Sequence, residues 1–226
     1  MANPGFTPQH RTLGQIAAWM VFGLGLLYAA TTVLGLLSLK SPQDPVGNPF
    51  FTLMELLTIA IAPLMVVTLV AVHGYARPEA KMYSLMALIF MALMAGITSS
   101  VHVTILAVSR QMAAAGLPSA ELLFSFRWPS VAYALDILAW DWFFALAMLC
   151  AAPVFKVGRL EKTVRGLIVV SGVLSLAGLV GVPLGNMQVR LVGLVGYGVV
   201  APVAFLLLGR VLGNEGRSPS MPSKVH

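Results

Sequence analysis

Apolar residues in this chain come in long unbroken runs, and its polar positions fall in short clusters between them. The runs cover approximately 13–39, 50–73, 82–109, 129–155, 166–185 and 191–212. A bilayer core of about 30 Å takes about 20 helical residues at roughly 1.5 Å each, and every run is long enough. The pattern predicts an all-α polytopic membrane protein with six transmembrane helices. The clusters KSPQDPVGNP, HGYARPEAK, RQMAAAGLPSAELLFSFRWP, KVGRLEKTVR and GNMQVR supply the proline, glycine and charge that stop a helix. The first run exceeds the 7 to 15 residues of a signal-peptide core and has no A-x-A site before Lys40, so it reads as an uncleaved span. The organisation expected is a short N-terminus over 1–12, one membrane domain over 13–212 and a polar, proline-rich, disordered tail over 213–226.

Composition agrees with this reading. Hydrophobic residues make up 58% of the 226 positions and charged residues 10%, against about 25% charged in a soluble domain. The net charge of +6 forms no continuous basic run, so no nucleic-acid partner is expected. Its distribution matters more. The N-terminus, second loop, fourth loop and tail hold Arg11, Arg77, Lys81, Lys156, Arg159, Lys162, Arg165, Arg210, Arg217 and Lys224, whereas the first, third and fifth loops hold Lys40, Arg110, Arg127 and Arg190. The positive-inside rule then puts both termini in the cytoplasm of a multi-pass cell (inner) membrane protein. Cys150 stands alone, which excludes an intramolecular disulfide.

Four ionisable residues remain inside the spans: Glu55, His102, Asp136 and Asp141. With alternating helix direction, Glu55 lies roughly 8 Å, and His102 and Asp136 each roughly 10 Å, below the outer end of their helices. Three separate helices thus carry a titratable group at one level. Each group lies on a distinctive face: Thr52 and Thr58 flank Glu55, Thr98 and Ser109 flank His102, and Tyr133, Trp140 and Phe143 share the side of Asp136. A kink at Pro63 would free the Ile59 carbonyl beside Glu55. Asp141, five residues on, is rotated by about 140° from Asp136 in an α-helix, toward a side of small residues suited to tying helices together. An intramembrane charge costs about 2.5–3.5 kcal/mol on insertion scales and so faces the bundle interior.

Candidate catalytic residues are therefore Glu55, His102 and Asp136, with Tyr133, Trp140, Phe143, Arg110 and Arg127 as candidate substrate contacts. One carboxylic acid would donate a proton and His102 or the other carboxylate would accept it, in an aromatic, dry pocket suited to isomerising or cyclising an isoprenoid-like substrate. The same residues also suit a proton-coupled carrier or channel, or a polar knot in a non-catalytic scaffold. No cofactor or metal motif is present: HExxH, Walker and GxSxG patterns are all missing. Met82, Met86, Met91 and Met94 read as packing residues rather than copper ligands. Trp140 and Trp142 read as cavity lining, and Trp128 as an interfacial anchor, as do Arg110 and Arg127 unless they meet an anionic headgroup or substrate. The stretch PSAELLFSFRW reads as a short interfacial helix, with Ser119 as its cap and Leu122, Phe124 and Phe126 as apolar contacts, or as a plain loop. Gly172, Ser175, Gly178, Gly193, Gly196 and Gly198 give the last two spans a close-packing character, with no ionisable residue in their interiors. Membrane lipids and a lipophilic small molecule are the partners these features imply; oligomeric state is left open.

Overall fold

Four of the six spanning helices start at local hydrogen-bonded contacts rather than simply where the apolar run begins. Thr7 Oγ1 accepts from the His10 amide at 3.2 Å, with Pro8 at the first helical position, so α1 spans Pro8–Leu37. Helix α2 (Phe50–Tyr75) runs through Pro63 without a break in assignment. Helix α3 occupies Pro78–Ser109, and α4 occupies Val131–Val154, with Ser130 Oγ accepting from the Tyr133 amide at 3.1 Å. Helix α5 starts at Gly158, because Glu161 Oε2 accepts from the Lys156 and Val157 amides at 2.9 Å each and folds the charged LEKTVR segment into its first turns. Helix α6 starts at Met187, where Asn186 Oδ1 accepts from the Gln188 amide at 3.0 Å, and ends at Asn214. This computed structural model describes residues 6–41, 44–116 and 120–214. The expected Ser119 cap and all but the first two residues of the expected disordered tail lie outside those.

The six helices are long and apolar enough to cross a membrane, and the protein is an all-α, multi-pass integral membrane protein. Each helix packs on its sequence neighbours, and α1 packs on α6, which closes the bundle into a ring. Small residues make the closure tight. Trp19 lies against Gly209 and Gln15 against Gly213, one helical turn apart on α6, so the indole and amide fill space that a side chain on α6 would otherwise take. Gly172 meets Leu149 of α4, Gly178 faces Gly193, and Gly196 lies against Ser171, whose Oγ donates to the Gly196 carbonyl at 2.9 Å. Gly198 departs from that pattern: among the described residues a Cβ there would meet only the Leu194 side chain of its own helix, at ordinary contact distance. The tight turn between α5 and α6 needs Gly185, with φ of 59°.

Three helices widen locally to i→i+5 hydrogen bonding, over Ile105–Ser109, Leu138–Phe144 and Gly196–Val200. These wide turns re-aim side chains. On a regular helix Phe143 returns to the side of Asp136 seven residues earlier, but the extra residue in the turn gives the interior position to Phe144, which is fully buried, and sends Phe143 against Phe90 of α3.

Candidate functional site

The three titratable residues expected at one level do meet. His102 stands between two carboxylates, with Nδ1 at 2.8 Å from Glu55 Oε2 and Nε2 at 3.5 Å from Asp136 Oδ1. The first is a well-formed charge-assisted contact. The second is longer than a good hydrogen bond, and Nε2 is buried with no closer partner among the described residues. The three sit at one end of the bundle, Glu55 one turn into α2, Asp136 one turn into α4, and His102 just before the wide turn near the end of α3.

Sequence reading missed the fourth helix of the site. Arg190, read as a loop residue at the membrane boundary, lies in the first turn of α6 and is buried. Its Nη2 is 3.4 Å from Asp136 Oδ2, its Nε is 3.2 Å from Asp141 Oδ2, and its Nη1 donates to the Tyr133 hydroxyl at 2.8 Å. The guanidinium carbon also lies 4.5 Å from the Tyr133 ring centroid. The expectation that the last two spans hold no interior charge is therefore corrected. The physical reason is the Asn186 cap, which starts the helix four residues earlier than the apolar run. Two signals were available: an asparagine before the run, and acids at the same end in need of a cation.

The result is an alternating chain, Glu55, His102, Asp136, Arg190, Asp141, drawn from α2, α3, α4 and α6. It contains three acids and two bases. Asp141 does tie helices, as its small-residue surroundings suggested, but through Arg190 and therefore as part of the same chain. The wide turn beginning two residues after Asp136 reduces the rotation between the two aspartates, so both reach one guanidinium. Among the described residues Asp141 Oδ1 has no hydrogen-bond partner, and it lies where a Cβ on Gly178 or Gly193 would collide with it.

Side-chain exposure orders the chain. Asp141 is fully buried, Glu55 is 4%, His102 7% and Arg190 8% exposed, and Asp136 at 14% is the most accessible member. Over His102 lies an aromatic cover contributed by the loop before α4. The Phe126 ring is 5.3 Å from the imidazole and 6.4 Å from both Tyr133 and Phe51, and Trp128 is 6.4 Å from Tyr133. Ser130 Oγ donates to the Ser125 carbonyl and pins the loop. Beneath, Trp140 packs on Phe144 and Tyr197 at 5.6 and 5.2 Å. Tyr28 of α1 and Tyr197 of α6 lie within electrostatic range of Asp136.

Of the expected substrate contacts, Tyr133 is at the chain, Trp140 is buried below it, and Phe143 points to α3. Arg127 is exposed on the loop. Arg110 continues α3 into Arg110–Ala114, and its side chain lies outside what is described. Trp142 is 44% exposed on the bundle exterior rather than lining a cavity. The four methionines do not converge: Met82 and Met86 are exposed, Met91 and Met94 fully buried. The short helix of the α3–α4 loop is Ala120–Phe124, and Phe124 and Phe126 pack on Val101, Ile105 and Ala132. Among the described residues no three acidic, histidine or cysteine side chains converge as a metal site, because the imidazole separates the two carboxylates.

Below the chain the interior is mainly apolar. The buried hydroxyls of Thr68 and Ser175 are turned onto carbonyls of their own helices. The void there, between Leu69, Met148, Phe155, Ile168, Phe205 and Leu208, is about 10 Å³, at the lower limit for one water. Compared with known protein families, with curated proteins and with solved structures, the chain matches none.

Proposed function

We propose that this membrane protein is an enzyme that performs general acid–base chemistry on a lipophilic, isoprenoid-like substrate, with Asp136 as the residue that meets it. The observation that carries the reading is the position of His102, held by Glu55 on one ring nitrogen and facing the more accessible Asp136 with the other. Glu55 fixes the orientation of the imidazole, in the way a buried carboxylate orients a catalytic histidine. A proton held between His102 Nε2 and Asp136 Oδ1 is delivered by Asp136 to one carbon of an alkene. The carbocation so formed loses a proton from a neighbouring carbon to the same pair. The substrate is isomerised, or cyclised if a second double bond attacks first, with no net gain or loss of atoms and no cofactor. Arg190, 3.4 Å from Asp136 Oδ2, neutralises the carboxylate left when the proton has gone, and the aromatic faces around the chain favour the cation.

The same chain suits a proton-coupled carrier, but the apolar packing below Asp141 favours handling the proton from one side. Deuterium separates the readings. Protein reconstituted with a lipid extract of its source membrane in D2O is expected to give one lipid class a mass increase at carbon, lost in Asp136→Asn and His102→Gln. Proton flux in sealed vesicles without carbon labelling would favour the carrier; neither signal, with folded protein, overturns both.

A further inference from the structure

Phe126 is unlike the other aromatic residues at the site. Like Trp128 it comes from a loop rather than a spanning helix, but it is the loop ring that sits against the imidazole of His102, at 5.3 Å, between Tyr133 and Phe51. It is only partly buried, so the space it fills opens to the exterior of the bundle. The nitrogen that has no close hydrogen-bond partner, His102 Nε2, belongs to the ring it covers. The charged groups are held by polar contacts of 2.8–3.5 Å, whereas Phe126 is held by aromatic contacts and by apolar packing on Val101, Ile105 and Ala132. A side chain of that kind can be exchanged for another flat, apolar group at small cost, because the walls offer no hydrogen bond that a replacement would have to restore.

We infer that Phe126 occupies the binding subsite of the substrate's unsaturated hydrocarbon segment, and that the segment enters by displacing the ring from between His102, Tyr133 and Phe51. The chemical class follows from the walls: apart from His102 Nε2 they are aromatic faces and aliphatic groups, which accept an alkene. It also follows that Phe126 sets selectivity, since the volume left when it moves is that of one benzyl group. The inference rests on the acid–base reading for what happens after binding, but binding itself needs no proton transfer.

The probe is a farnesyl-type hydrocarbon carrying a diazirine, photolysed with the protein in phosphatidylcholine nanodiscs. Label is expected in the peptides around Val101–Ile105 and Tyr133, and to be displaced by excess unlabelled hydrocarbon. Phe126→Ala removes the competing ring and raises labelling about tenfold if the ring is displaced roughly a tenth of the time in the native protein. Phe126→Trp reduces it to the level of the lipid-facing helices. Should the alanine variant fail to fold, Phe126→Leu takes its place with the same sign. Equal labelling in native, alanine (or leucine) and tryptophan proteins, or label confined to lipid-facing residues such as Leu26 and Val67, overturns the inference. Asp136→Asn should still be labelled although it transfers no deuterium, so a protein that labels without exchanging protons loses the acid–base reading and keeps the subsite.

Discussion

Arg190 faces two aspartates and a tyrosine and is nearly inaccessible, so its removal would strand charge in the bundle. Breaking a buried pair by deleting one partner costs about 3–5 kcal/mol, whereas replacing both ends by neutral groups of similar shape is far milder. Arg190→Ala is therefore expected to lower thermal stability in detergent strongly. Arg190→Gln combined with Asp141→Asn should recover most of it, and a double variant no more stable than Arg190→Ala would show that the Asp141 contact is incidental. The recovered double variant still lacks the cation beside Asp136 and should stay inactive. Glu55, His102 and Asp136 were legible because an ionisable residue inside an apolar run has few reasons to exist. Arg190 was not, because a cation directly before the start of an apolar run looks like a boundary residue. Phe126 was legible only as an apolar contact, since nothing in a linear sequence says that a loop phenylalanine folds onto a histidine 24 positions earlier.

At the level of helices, length and breakers were readable from apolar runs because the bilayer fixes both. Their starts were less so, since capping by Thr7 and Asn186 and the Glu161 contacts extend helices past the edge of the apolar stretch, while the Ser130 cap starts α4 just inside it. The wide turns were invisible for a different reason: they carry no residue signature, and assuming a regular period put Phe143 on the wrong side and Asp141 too far round. Helix contact gives a sharp test. A methyl on Gly193 would land on Asp141 Oδ1, while one on Gly198 meets nothing closer than its own Leu194. Gly193→Ala is expected to cost about 1–3 kcal/mol by overpacking, with loss of the Arg190–Asp141 contact. Gly198→Ala should leave the unfolding temperature unchanged. Equal effects would mean that α4 does not lie as close to α6 as described.

Across the whole molecule, the charged chain and the densest basic clusters occupy opposite ends of the ring. The chain lies where α2, α4 and α6 begin; Arg77, Lys156, Arg159, Lys162 and Arg165 lie where α2 and α4 end and α3 and α5 begin. Basic residues resist transfer across the bilayer during insertion, and we propose that the end that holds them stays cytoplasmic and that the acid–base site faces the outer leaflet. The consequence is directional: substrate reaches Asp136 from the outer half of the membrane, and the loop bearing Phe126 is exposed on the outer side. Reporter fusions after Leu39 and Gln111 should read outside, and those after Arg77, Val157 and Asn214 inside. A membrane-impermeant reagent added to intact cells should modify a cysteine placed at Arg127 and spare one at Arg159. Modification of the second alone would invert the molecule. It would leave the meeting of Glu55, His102, Asp136 and Arg190 intact while moving the proton source and the substrate's point of entry to the cytoplasmic leaflet.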